Sequence, residues 1–131
     1  MFDLCLFAGT TEGRRLVEFL RETPLSVYVA VATEYGETLV PQGSNITVHA
    51  GRLDRAQMAA LFARERFALV VDATHPFAAE ATGNIASAAG ETGIEVVRLV
   101  REEESAVAEA TYAASIAEAA ERLKAFYAQK Y

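Results

Sequence analysis

The chain has 131 residues, 52% of them apolar and 23% charged, with a formal net charge of −6. That length suits one domain able to bury roughly two-thirds of its unfolded surface, and the acidic balance argues against a general nucleic-acid or anionic-membrane surface. No apolar run approaches the ~20 residues of a membrane-spanning helix, and the first residues lack a basic, signal-like start, so the expectation is a cytoplasmic protein.

Strand-like and helix-like stretches alternate from the start. Phe2 to Ala8 reads as a first strand, with the lone cysteine, Cys5, inside it as a buried, inert thiol. Thr11 to Glu22 reads as a helix with Leu16, Val17 and Leu20 on one face. Leu25 to Ala32 is a second, valine-rich strand, followed by a loop from Thr33 to Asn45 that holds two glycines and Pro41. Ile46 to Ala50 is a short third strand in which His49 reads as a packed histidine. Asp54 is a suitable N-cap for a helix running to about Arg66.

Phe67 to Val71 is an unbroken apolar run, the pattern of a parallel strand buried on both faces. Pro76 favours extended geometry at His75 and can open the next helix, read as Phe77 to Thr92 with Gly93 as its C-cap. Ile94 to Val100 is a fifth strand, Arg101 to Glu109 a charged loop, and Ala110 to Ala113 a short sixth strand. Ser115 then caps a last helix with Ile116, Ala119, Ala120, Leu123, Phe126 and Tyr127 on one face. This βαβ alternation predicts an α/β, Rossmann-like, doubly wound parallel sheet of five to six strands with helices on both faces. The expected strand order is 3-2-1-4-5, which puts the ends of strands one and four side by side at the switch point where such folds bind ligands.

Three pieces carry candidate chemistry. Gly9, Thr10, Thr11, Glu12 and Gly13 join the first strand to its helix. Glycine there permits positive φ and close backbone approach, the helix's first N–H groups favour a phosphate, and the threonines offer hydroxyl donors; a simple tight turn with a threonine cap is the other reading of these residues. Glu34 follows the second strand about 21 residues past Gly13, a spacing at which a carboxylate bonds adenosine ribose hydroxyls and repels a 2′-phosphate. A solvated glutamate explains the same residue equally well, and Arg52 is a nearby cation. Asp72, Thr74 and His75 gather a carboxylate, a hydroxyl and an imidazole at one strand end, where His75 could donate a proton or a hydrogen bond to a substrate, or equally hold the loop in shape through Asp72 or a backbone carbonyl. Arg98 and Arg101 emerge on the same side. Neither histidine has partners at metal-ligand spacing, so no metal site is expected.

The stretches Leu-Phe-Ala-Gly-Thr-Thr-Glu-Gly-Arg (6–14), Ala-Thr-Glu-Tyr-Gly (32–36) and Val-Asp-Ala-Thr-His-Pro-Phe-Ala (71–78) together resemble the precorrin-6A reductase family of cobalamin biosynthesis. The resemblance covers most of this chain but only about the first half of a family member. It implies two Rossmann-like lobes facing a cleft, with residues 1–131 forming a single domain, the N-terminal lobe, and the second lobe of the same protein as its partner. It also implies an NAD(P)H-dependent reductase that delivers hydride to a double bond of a tetrapyrrole, precorrin-6A or cobalt-precorrin-6A. The Ala-Thr-Glu-Tyr-Gly stretch is similar to the anaerobic branch, whose substrate carries cobalt and whose donor is expected to be NADH. Aerobic members tend to have an arginine near the position of Glu34, suited to NADPH.

On this reading Gly9, Thr10, Thr11, Glu12, Gly13 and Glu34 hold the cofactor. Thr74, His75, Pro76 and Phe77 line the substrate side, with His75 as the catalytic candidate. Arg14, Arg52, Arg98 and Arg101 supply attraction for a polyanionic substrate, and the isolated chain is expected to turn over little. The alternatives are a non-catalytic dinucleotide-binding or regulatory module, a Rossmann oxidoreductase of small carbonyl compounds, and an α/β domain whose loops only turn corners. The second needs a catalytic Tyr-x-x-x-Lys pair, and Tyr127 and Lys130 lie three apart in the wrong place.

Overall fold

A computed structural model of the protein describes residues 2–75 and 77–99. Pro76 therefore lies outside the described residues, as do Arg101, the sixth strand, Ser115 and the last helix with Tyr127 and Lys130. The described elements alternate as β1 (Leu4–Ala8), α1 (Thr11–Leu20), β2 (Val27–Val31), α2 (Glu34–Leu39), β3 (Ile46–Ala50), α3 (Arg55–Glu65), β4 (Leu69–Ala73), α4 (Ala79–Thr92) and β5 (Val96–Arg98).

The five strands are parallel and lie in the order β3-β2-β1-β4-β5, the Rossmann-like α/β arrangement expected from the alternation. β1 and β4 occupy the middle and are buried along their whole length. Successive residues of a strand point to opposite faces, and the core divides accordingly. Leu4 and Leu6 of β1, with Val27, Val29, Leu69 and Val71, meet Leu16, Val17 and Leu20 of α1. Cys5, Phe7 and Val70 face the other way, against Met58, Leu61 and Phe62 of α3 and Ile85, Ala88 and Ala89 of α4. Phe62 is fully buried and its ring meets Phe7 and Phe67 edge-on, a packing whose truncation to alanine costs about 3–5 kcal/mol.

The helix ends obey local chemistry. Thr10 caps α1 by accepting from the Gly13 N–H, and Asp54 with Gln57 forms a reciprocal capping box at α3. Gly93 ends α4 in the left-handed conformation. Three expectations need correction. The stretch after β2 is not all loop, because Thr33 caps the six-residue helix α2. α4 starts at Ala79 rather than Phe77, since the N–H of Ala78 bonds back to the His75 carbonyl and forms a turn first. His49 is not packed in the core: β3 is a sheet edge whose residues alternate between half-buried and exposed, and His49 lies on its exposed side, stacked on Tyr28.

Candidate functional site

β1 and β4 run in register, Ala8 opposite Ala73, so the chain leaves both strands at one point of the sheet's carboxyl edge. A Cβ placed on Gly9 would stand 3.6 Å from Thr74 Cα and 3.7 Å from the His75 nitrogen. These are ordinary contact distances, so a Cβ at position 9 would touch the β4 corner without displacing it. A Cβ on Gly13 would come within 3.0 Å of Ala73 Cβ, so this glycine lets α1 rest directly on the strand ends. Neither residue has a positive φ; among the described residues Gly51, Gly93 and Arg66 do. Close approach, not left-handed geometry, is what Gly13 supplies.

Thr10 ties the corners together. Its hydroxyl donates to the Ala73 carbonyl at 2.9 Å and accepts from the Gly13 N–H at 3.2 Å. Its only proton is therefore engaged inside the protein, whereas Thr11 is exposed and accepts from Arg14 Nη2 at 3.1 Å. Glu12, one residue further, is buried in the first turn of α1, where a carboxylate is favoured by the helix dipole.

The β4 corner is built around Asp72, whose side chain is only 1% exposed. Its Oδ1 accepts from the Thr74 N–H at 3.0 Å and the Thr74 hydroxyl at 2.7 Å, and lies 2.8 Å from Arg98 Nη1. The same Arg98 nitrogen reaches Thr74 Oγ1 at 3.0 Å and the Thr74 carbonyl at 3.3 Å. Thr82 of α4 places its hydroxyl 3.2 Å from that of Thr74. Arg98, expected to face an anionic ligand, is thus turned inward onto its neighbouring strand.

His75 and Phe77 are both exposed past this corner. The N–H of Phe77 donates to His75 Nδ1 at 3.2 Å, and the two rings lie 5.0 Å apart. An Nδ1 that accepts leaves the proton of neutral imidazole on Nε2, so the free end of His75 is a donor. Phe77 is 90% exposed, an unusual setting for a phenyl ring.

Glu34 is exposed three residues past β2, in the first turn of α2 beside Tyr35, whose ring is 73% exposed. The helix dipole accounts for an acid here as readily as a ribose does. Arg52 is exposed beyond β3. The described arrangement thus brings Gly9, Thr10, Gly13, Thr74 and His75 together and leaves Glu34 one strand away. Thr82 was not singled out in the sequence; its signal is a β-branched, hydrogen-bonding residue early in an otherwise alanine-rich helix. Among the described residues no three His, Cys, Asp or Glu side chains are grouped to hold a metal ion, and no helix is long and apolar enough to cross a membrane.

Comparison with known proteins places this geometry. Residues 3–129 match the family described as precorrin-6x reductase CbiJ/CobK. A cobalt-precorrin-6A reductase from Methanothermobacter thermautotrophicus is 36% identical over 102 residues, which is 77% of this chain and 34% of that protein. A precorrin-6A reductase from Sinorhizobium is 37% identical over 101 residues, 76% of this chain and 38% of its own. Among solved structures, a CobK precorrin-6A reductase superposes with a TM-score of 0.68 at 29% identity, over 81% of this chain and 41% of that one. The chain therefore spans well under half the length of these relatives.

Proposed function

The chain belongs to the precorrin-6x reductase family, and on that premise we propose that it is the N-terminal, cofactor-binding lobe of a cytoplasmic NAD(P)H-dependent reductase of precorrin-6A or its cobalt complex. The rest of the active enzyme is a second lobe of the same protein closing over the strand ends, and the isolated chain has little turnover. The observation that carries this reading is the register of β1 on β4, which sets the Gly9–Gly13 and Thr74–His75 corners side by side at the carboxyl edge of the sheet.

A dinucleotide fits the residues present. The backbone of Gly9 to Gly13 and the exposed Thr11 offer donors at the start of α1 for its phosphates. Glu34 bonds the adenosine ribose and selects NADH by repelling a 2′-phosphate. When bound, the nicotinamide supplies the hydride. The protein orients and encloses the reaction. His75 presents Nε2–H toward the substrate, pairing with a side-arm carboxylate or giving a proton as the double bond is reduced. Phe77 offers its open ring to the flat macrocycle, and Arg14 and Arg52 add positive charge near the rim. Thr74 contributes its backbone position, since its hydroxyl is engaged within the protein.

Titration of the purified chain with NADH and NADPH tests the reading, with NADH expected to bind more tightly. Tighter binding of NADPH removes the role given to Glu34, and binding of neither dinucleotide removes the cofactor assignment. Turnover by this chain at the rate of a full-length relative refutes the two-lobe arrangement. A full-length enzyme indifferent to loss of the His75 imidazole favours a dinucleotide-binding module without catalysis.

A further inference from the structure

Arg98 ends β5 and stands opposite Asp72 in the ladder between β4 and β5. We propose that Arg98 is a positioning residue for His75, fixing the turn that presents the imidazole with Nδ1 as acceptor and Nε2–H outward. The inference rests on the reading of His75 as a substrate-facing group.

The hydrogen bonds close around the residue that precedes the histidine. Thr74 gives its single hydroxyl proton to Asp72 Oδ1, so both lone pairs remain to accept. One accepts from Arg98 Nη1, and the other takes the proton of Thr82, which must then be the donor of that pair. The Thr74 N–H is held by Asp72, and the Thr74 carbonyl, 3.3 Å from Arg98 Nη1, shares the two protons of that nitrogen with Asp72 Oδ1 and Thr74 Oγ1. That carbonyl belongs to the peptide plane whose other end is the His75 nitrogen, 3.7 Å from where a Cβ on Gly9 would stand. Beyond it, the Ala78 and Phe77 N–H groups bond to the His75 carbonyl and Nδ1. The rotation of the imidazole is thus determined by a peptide whose orientation Arg98 sets from the neighbouring strand.

An ion pair serving stability alone would need only Asp72 and Arg98 in contact. Here the guanidinium also reaches two atoms of Thr74, and α4 contributes Thr82 to the same hydroxyl. Removing Arg98 leaves the Asp72 carboxylate buried without its counter-ion and the Thr74 carbonyl without this donor. The turn then relaxes, and the 3.2 Å contact between the Phe77 N–H and Nδ1 loosens with it.

Imidazole nitrogen NMR on the full chain reads this directly, since the two nitrogens of a neutral ring report which one carries the proton. His49 and His75 are the chain's two histidines, and His49 lies on β3 at the opposite edge of the sheet, an internal control. The unmodified chain is expected to show His75 Nδ1 as an unprotonated acceptor. In Arg98→Met, His75 moves toward the average of the two tautomers while His49 keeps its shifts. An unchanged His75 in folded Arg98→Met overturns the proposal. Should that variant fail to fold, isosteric Thr74→Val decides, because it keeps the Asp72–Arg98 pair and removes the hydroxyl relay. The same shift in His75 is expected there, and its absence overturns the proposal. The readout uses neither cofactor nor substrate, so it can fail while the reductase reading stands, and the reverse.

Discussion

Gly13 lies so near Ala73 that a Cβ on the glycine would sit 3.0 Å from the alanine's own. Gly13→Ala would gain up to about 1 kcal/mol from helix propensity but meets a contact whose relief by backbone shift costs about 1–3 kcal/mol. A net loss of about 1 kcal/mol is expected in urea unfolding. Ala73→Gly in the same chain removes the opposing methyl and should recover part of that loss, a coupling of about 1 kcal/mol. Strict additivity of the two substitutions would show that α1 does not rest on β4 at this point.

Glu34→Arg replaces the carboxylate past β2 with a cation suited to a 2′-phosphate. The preference between NADH and NADPH should reverse, chiefly through tighter NADPH binding, with thermal stability little changed because the residue is exposed. Fluorescence titration of both cofactors checks it. An unaltered preference would assign Glu34 to the first turn of α2 and nothing more.

The strand order and the inward face of α1 were legible because long apolar runs and a 3.6-residue spacing record burial directly. α2 was not, since none of its residues is buried and a helix without an apolar face leaves no periodic trace. Its one sequence mark was Thr33 followed three residues on by Gly36, whose N–H it caps. β4 extends two residues past the predicted end because Asp72, polar in sequence, finds Arg98 and Thr74 as partners inside the sheet. That pairing depends on register between residues 26 apart, which composition cannot supply. The two corners, by contrast, could be set side by side from topology alone.

Arg66 closes α3 with φ 50°, in the left-handed region, where a side chain carries a steric cost that glycine avoids. Arg66→Gly should stabilise the chain by about 0.5–1 kcal/mol, read as a higher urea midpoint with an unchanged slope. A lower midpoint would mean that the Arg66 side chain contributes more than its backbone strain removes.

Burial pushes the Cys5 thiol well above its usual range. The folded chain should resist a thiol reagent at neutral pH, with labelling appearing only as the protein unfolds in urea. The sign of the linkage follows: the unfolded thiol ionises near about pH 8.5 while the buried one stays neutral. The stability this gives is full below that pH and declines as pH rises above it. Cys5→Ala should lose that alkaline slope, and rapid labelling of the native chain would contradict the burial.

The bond from Thr10 to the Ala73 carbonyl joins residues 63 apart, and this bears on how the protein is born. During synthesis β1 emerges first and gains β2 early, yet its other flank stays bare until β4 has left the ribosome. The corner from Gly9 to Gly13 is thus completed by a strand made last among its neighbours. A nascent chain halted before residue 69 holds the glycines and threonines of that corner but not the wall they close against.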